Sequence, residues 1–188
     1  MRMTMRTSAT GVEAPPWSIR PERAIDLDQI HDLHRTAFGR PAEAELVDAI
    51  RSGPEFIPEL SLVAVADDGS VLGHVLVSRV GFEPDEVGPR AEVLALAPLA
   101  VLPPHAGRGI GSALTMAALE IADARDEPFV AVLGPPAFYR RFGFVPAADH
   151  GIDSRYGDVG PAFQVRARPD GAPMQPGVVI YPPMFEAL

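Results

Sequence analysis

The stretch Leu99-Ala-Val-Leu-Pro-Pro-His-Ala-Gly-Arg-Gly-Ile-Gly-Ser-Ala-Leu114 constrains the fold more than any other part of the chain. An apolar run with strand character ends there, and glycines follow at alternate positions, Gly107, Gly109 and Gly111. A helix of good propensity then starts at once. Glycine at every second position strips side chains from a turn, so several backbone N–H groups can converge on one oxyanion. The helix behind the turn adds unpaired N–H groups and the positive end of its dipole. The pattern describes a pyrophosphate cradle. It is neither of the two better-known kinds. No Gly-Lys-Ser/Thr is present, as an ATP-binding loop requires, and Ser112 and Ala113 stand where a dinucleotide fingerprint needs its third glycine.

At 188 residues the chain has the length of one domain with a sizeable core. Met1 to Pro16 hold two arginines and no apolar export core, so the expectation is a disordered leader followed by a single domain over residues 17–188. No run reaches the roughly 18 uninterrupted apolar residues of a membrane span, and a cytoplasmic location is expected. Cysteine is absent, which removes disulfides, thiolate nucleophiles and zinc–thiolate sites together. Lysine is absent too, since all 16 basic residues are arginines, and with it any Schiff-base chemistry. The net charge of −9 is the wrong sign for a nucleic-acid footprint and the right sign to draw in a cationic substrate.

Along the chain, Trp17 to Arg20 reads as a short strand. Asp26 with Gln29 resembles a capping box opening a helix that Gly39 stops, and Pro41 begins a second helix ending near Gly53. Leu60 to Ala66 and Val71 to Phe82 read as a hairpin turned by Asp67-Asp68-Gly69-Ser70, followed by a polar loop from Glu83 to Arg90. Ala91 to Val101 is a third strand interrupted by Pro98, where a bulge or a parting of strands is expected because proline cannot donate to a ladder. Gly109 to Arg125 is the main helix, Phe129 to Leu133 a buried strand, and Ala137 to Phe142 a short helix before Gly143. Phe163 to Ala167 is a further strand, and Val178 to Phe185 an apolar tail that either completes the sheet or mediates a homodimer. The order predicts an α/β fold, a mixed sheet with helices on both faces.

This order of glycine turn, helix, strand and Tyr-x-x-x-Gly-Phe block resembles the GNAT superfamily of acyl-CoA-dependent N-acetyltransferases. The resemblance is closest to its bacterial YhbS-like subgroup. It rests on Pro58-Glu-Leu-Ser-Leu-Val-Ala64, Val71-Leu-Gly-His-Val75, Pro98-Leu-Ala-Val101, Gly107-Arg-Gly-Ile-Gly111, Leu133-Gly-Pro and Phe138-Tyr-Arg-Arg-Phe-Gly-Phe144. The resemblance implies a mostly antiparallel GNAT-type central sheet and acetyl-CoA as co-substrate, with no metal. The pantetheine arm would pair with the backbone of Leu99, Ala100 and Val101, one of whose N–H groups would polarise the thioester carbonyl. The pyrophosphate would rest on Ala106, Gly107, Arg108, Gly109, Ile110, Gly111 and Ser112. Ala106 stands where the family usually has Gln or Arg, which removes a side-chain contact that Arg108 or His105 would have to replace.

The resemblance also gives Tyr139 the role of assisting the departing thiolate. A phenol near pKa 10 is a weaker acid than a thiol near 8.5, so full proton transfer from an unperturbed tyrosine is uphill by roughly 2 kcal/mol. For the base that frees the amine, the order of candidates is Glu92, then Glu59, then His74. Asp149, His150 and Asp153 lack a recognisable metal-ligand pattern. The expected activity is acetyl transfer from acetyl-CoA directly to a primary amine of a small molecule or peptide, with no nucleic acid or membrane partner. A non-catalytic acyl-CoA-binding sensor or regulatory module is the alternative.

Overall fold

The computed structural model describes residues 16–86, 89–155, 159–169, 171 and 173–187. The expected leader therefore lies, apart from Pro16, outside the described residues. The strands are β1 (Trp17–Pro21), β2 (Ser61–Ala66), β3 (Val71–Pro84), β4 (Ala91–Val101), β5 (Phe129–Leu133), β6 (Val145–Pro146), β7 (Ile152–Ser154), β8 (Phe163–Ala167) and β9 (Gly177–Ile180). The helices are α1 (Leu27–Phe38), α2 (Ala42–Arg51), α3 (Ile110–Asp123) and the one-turn α4 (Pro136–Tyr139). One sheet runs β1-β2-β3-β4-β5-β8-β6, with β9 added to the far end of β3 and β7 beside β9. Among the described residues, pairing is antiparallel except between β4 and β5 and between β7 and β9. This is the expected mixed, mostly antiparallel sheet.

Both faces are covered, which is why the strands read as continuous apolar runs rather than alternating ones. On one face α1 and α2 press Ile30, Leu33, Leu46, Val47 and Ile50 onto Val63, Leu76, Val93 and Ala95. On the other, α3 presses Ile110, Leu114, Ala118 and Ala122 onto Leu62, Ala64, Val77 and Leu94. The helical spacing of the apolar residues in each helix thus matches a sheet surface rather than a neighbouring helix alone.

Two local expectations are corrected, and one open alternative is resolved. Asp26 does not pair with Gln29 as a cap. It is buried and takes a bidentate arginine, from Arg20 Nη1 at 2.6 Å and Nη2 at 2.9 Å, while Gln29 Oε1 accepts from the Val71 N–H at 3.0 Å. Asp26 Oδ2 also accepts from the Arg23 N–H at 2.8 Å, so its local capping bond closes the turn before α1 rather than opening α1 itself. The polar loop begins later than expected, because Glu83 and Pro84 continue β3 by pairing with Val178 and Gly177 of β9. The C-terminal apolar tail completes the sheet through β9 and then packs Phe185 into the α1/α2 face of the core.

Candidate active site

The glycine turn sits between the end of β4 and the start of α3. Gly107 and Gly109 have φ of 74° and 85°, the left-handed region that a side chain makes costly. A Cβ at either position would meet nothing within 4 Å, so the glycines are required by the backbone and leave open space above it. The first bond of α3 runs from the Ala113 N–H to the Gly109 carbonyl at 2.9 Å. The N–H groups of Ile110, Gly111 and Ser112 therefore have no helical acceptor, as at any helix start. The Ala106 N–H is already given to the Pro103 carbonyl at 3.2 Å, so it does not face the open side of the turn. Arg108 stands exposed on this turn.

β4 and β5 part just before it. Leu94, Ala95 and Leu96 pair with Val130, Ala131 and Val132, and the ladder ends there. At Ala97-Pro98 the register of β4 against β3 slips by one residue, so the proline produces both the bulge and the parting. Beyond it, the Leu102 N–H bonds to the Leu72 carbonyl at 2.9 Å. Backbone groups alternate sides along a strand, so those of Ala100 also face β3, where it pairs with His74. The N–H and C=O groups of Leu99 and Val101 face the gap instead. Two of the three expected strand-pairing residues thus present free backbone to a ligand, and Ala100 does not.

The gap opens into a cavity of about 520 Å³. Its β4 wall is Leu96 to Leu99, its β5 wall Leu133 to Pro135 with Tyr139, and its outer wall the α1–α2 junction and the C-terminal segment. Tyr139 is buried, edge-on to Phe138 and Phe144, and burial alone pushes its phenol up to about 12. Gly134 makes this placement possible, since a Cβ there would stand 2.5 Å from Tyr139 Cε2.

The three candidate bases are not brought to the cavity. Glu92 is 69% exposed at the opposite end of β4, with Arg79 Nε at 3.6 Å. Seven residues separate it from Leu99, roughly 23 Å of strand. Glu59 is exposed on the turn before β2, within electrostatic reach of Arg125 beyond the C-terminal end of α3. Asp149, His150 and Asp153 are exposed as well.

His74 is fully buried in a polar chain on the α1/α2 face. Arg51 binds Glu22 through Nε at 2.6 Å and Nη2 at 3.0 Å, and Ser61 Oγ donates to Glu22 Oε2 at 2.6 Å. Having donated its proton, Ser61 Oγ accepts from His74 Nε2 at 2.9 Å, so His74 Nδ1 accepts from His34 Nε2 at 2.9 Å. The polarity of the chain fixes both tautomers, with every proton directed toward Glu22. Burial and the facing ring of His74 push His34 down to about 2; burial also lowers His74, against the opposing pull of Glu22. Burial alone would raise Glu22, but the nearby His74 ring, at 3.5 Å, and hydrogen bonds from Arg51 and Ser61 outweigh it and hold the carboxyl at about 2. This chain ties β1, α1, α2, β2 and β3 together.

Two features had no counterpart in the sequence reading. Glu43, in the first turn of α2, lines the cavity as a buried carboxylate, bound by Arg40 Nε at 3.0 and 3.1 Å. In sequence it is an ordinary acid at a helix start. Arg141 is held beside the glycine turn, with Nε on the Phe138 carbonyl at 3.1 Å and Nη2 on Ser112 Oγ at 3.3 Å. Its guanidinium lies 4.6 Å from the Phe138 ring centroid. The doubled arginine of Phe138-Tyr-Arg-Arg-Phe was the available signal.

A mixed sheet whose parallel pair parts beside a glycine-opened helix, with a tyrosine in the cleft, defines a class of α/β acyltransferase folds. Known proteins place the chain within it. Residues 27–144 match the model of the Acetyltransferase (GNAT) family. The uncharacterized N-acetyltransferase YhbS of Escherichia coli K12 is 37% identical over 154 residues, 82% of this chain and 89% of that protein. The crystal structure of YhbS in complex with CoA superposes with a TM-score of 0.82 at 35% identity, covering 92% of this chain and 93% of the other. A GNAT family acetyltransferase from Brucella melitensis in complex with acetyl-CoA gives 0.72 at 32% identity, covering 90% and 97%. The chain belongs to the GNAT acetyltransferase family.

Proposed function

We propose that this protein transfers the acetyl group of acetyl-CoA directly to a primary amine carried by a small molecule or peptide. The observation that carries the reading is that Leu99 and Tyr139 line one cavity where β4 and β5 part, while Gly111, in the first turn of α3, lies against the same end of β4, a Cβ there standing 3.6 Å from Val101 Cγ2 and 4.0 Å from Leu99 Cδ2. The residues fit the co-substrate. Side-chain-free, left-handed glycines leave room for a diphosphate against the helix start, and the unpaired edge of β4 takes the pantetheine amides as a further strand would pair. Arg141 supplies the phosphate-facing cation that Ala106 lacks, and Arg108 adds a second on the solvent side.

In this reading the acceptor first gives its ammonium proton to water. The free amine nitrogen attacks the thioester carbon, and the Leu99 or Val101 N–H stabilises the oxyanion. The C–S bond then breaks, the amide nitrogen gives up its second proton, and the thiolate leaves as coenzyme A. With its pKa near 12 against about 8.5 for a thiol, Tyr139 would lose roughly 5 kcal/mol by giving up its proton. Its role is therefore a hydrogen bond to the departing sulfur, with the proton arriving from water. The test is thiol release from acetyl-CoA across a panel of amines, beside calorimetry with CoA. Amine-dependent release supports transfer. Tight CoA binding with no release for any amine would make the protein a binding module instead.

A further inference from the structure

We propose that the acceptor is an amino acid with an apolar body, and that the guanidinium of Arg40 binds its carboxylate while the amine reacts elsewhere in the cavity. The inference rests on the acetyl-transfer reading and names its substrate class. Arg40, at the α1–α2 junction, lines the same cavity as Leu99 and Tyr139, and it is the one cation among the described lining residues. Its side chain meets Glu43 sideways: Nε lies 3.0 and 3.1 Å from the two carboxylate oxygens, and Nη2 also binds Oε1. A guanidinium carries five N–H donors in a planar fork. Nε–H and one Nη2–H are used, so the second Nη2–H and both Nη1–H groups remain, with no other acceptor among the described residues. One Nη1–H and that Nη2–H run parallel from the end of the fork, the geometry that takes a carboxylate through two bonds.

Burial separates the two partners. The Glu43 side chain is 5% exposed and that of Arg40 is 51% exposed. Glu43 therefore takes the inner edge and fixes the plane of the guanidinium, while the remaining donors lie on the accessible side. Glu43 is a positioning residue and touches no part of the acceptor. The group that Arg40 holds is not the group that reacts, so the nitrogen stays unpaired and reaches the thioester as the free amine. The rings of Phe38, Phe163, Tyr181 and Phe185 wall the cavity and receive the apolar body. Its volume of about 520 Å³ is in the range that encloses a small molecule. The other lining carboxylate, Glu186, is exposed, where water weakens its repulsion of an anion. An amine without an anion leaves the Arg40 donors to water and gains nothing from them.

The experiment measures CoA release with two matched pairs, phenylalanine beside 2-phenylethylamine and 6-aminohexanoate beside hexylamine, in wild type and in Arg40→Gln. Within a pair the molecules differ by the carboxylate, the two pairs sample two spacings, and comparing the two proteins cancels the unequal basicity of the amines. In at least one pair, kcat/KM for the amino acid should exceed that of its partner at least tenfold in wild type. Arg40→Gln should raise KM for that amino acid about tenfold more than for its partner, with the Kd of CoA unchanged by calorimetry. No preference for the carboxylate in either pair, or a preference that survives in Arg40→Gln, overturns this inference and leaves acetyl transfer standing. Release with other amines of a broader panel but with neither amino acid does the same. Silence with every amine despite CoA binding overturns both. Arg40→Gln leaves the Glu43 carboxylate buried without its partner; if that variant does not fold, Arg40→Gln combined with Glu43→Gln removes both charges and gives the same reading.

Discussion

Acid should destabilise this protein well before its carboxylates titrate, and His34 is the residue to test. In the unfolded chain its imidazole titrates near 6.5; in the fold it is pushed down to about 2. The folded value lies below the unfolded one, so below pH 6.5 the unfolded chain takes up a proton that the folded state refuses. The stability His34 contributes is complete above pH 6.5 and is lost as pH falls. Between pH 7.5 and pH 5 the loss is about 2 kcal/mol, from 1.36 kcal/mol per unit over 1.5 units. That figure is set by the unfolded value alone while the folded value stays well below 5. His74 shifts in the same direction and adds to the loss. Glu22, lowered from 4.5 to about 2, withdraws its stabilisation only as pH drops through that range. Against a typical total of about 5–15 kcal/mol, the histidine stage alone is a substantial fraction. Urea unfolding at pH 7.5, 6.5, 5.5 and 5.0 should therefore show the midpoint falling steeply below 6.5. In His34→Gln the side-chain amide can still donate to His74 Nδ1 but cannot take up a proton, so about 2 kcal/mol of the pH dependence should disappear. Parallel curves for the two proteins would refute the reasoning.

Tyr139→Phe removes a hydrogen bond to a developing thiolate, about 1.5–3 kcal/mol; kcat should fall roughly 10- to 150-fold with the Kd of CoA unchanged by calorimetry. Because the phenol sits at about 12, the alkaline limb of the wild-type pH–rate profile should not move in this variant. Gly134→Ala places a methyl 2.5 Å from Tyr139 Cε2, so it should lower kcat as Tyr139→Phe does and cost about 1–3 kcal/mol of stability by urea unfolding. Arg141→Gln should weaken CoA binding severalfold, more at 20 mM than at 300 mM salt on the order expected for a charge contact, while the unfolding midpoint is unchanged. Gly109→Ala forces a side chain into φ 85°, and the roughly 1–2 kcal/mol of strain should appear both as lost stability and as weakened CoA binding.

What could be read from residues alone was whatever depends on backbone chemistry close in sequence. Gly107 and Gly109 announce a left-handed turn because no other residue adopts it freely, and Pro98 announces a break because it has no N–H to give. Both positions follow from covalent structure, so the glycine turn and the parted strands were visible before any fold was known. The carboxylates behaved differently. Glu92 was chosen because it lies on the strand that ends at the cradle, but a strand of eleven residues spans more than 30 Å at ~3.3 Å per residue. Its two ends serve different surfaces. Glu43 is in sequence an acid at a helix start, and Asp26 reads as a cap. What buries Glu43 is the α1–α2 junction together with a C-terminal segment about 140 residues away, Phe185 included. Buried Asp26 is paired with Arg20 on a strand. The burial of Glu43 is therefore decided by contacts of long sequence separation rather than by any motif.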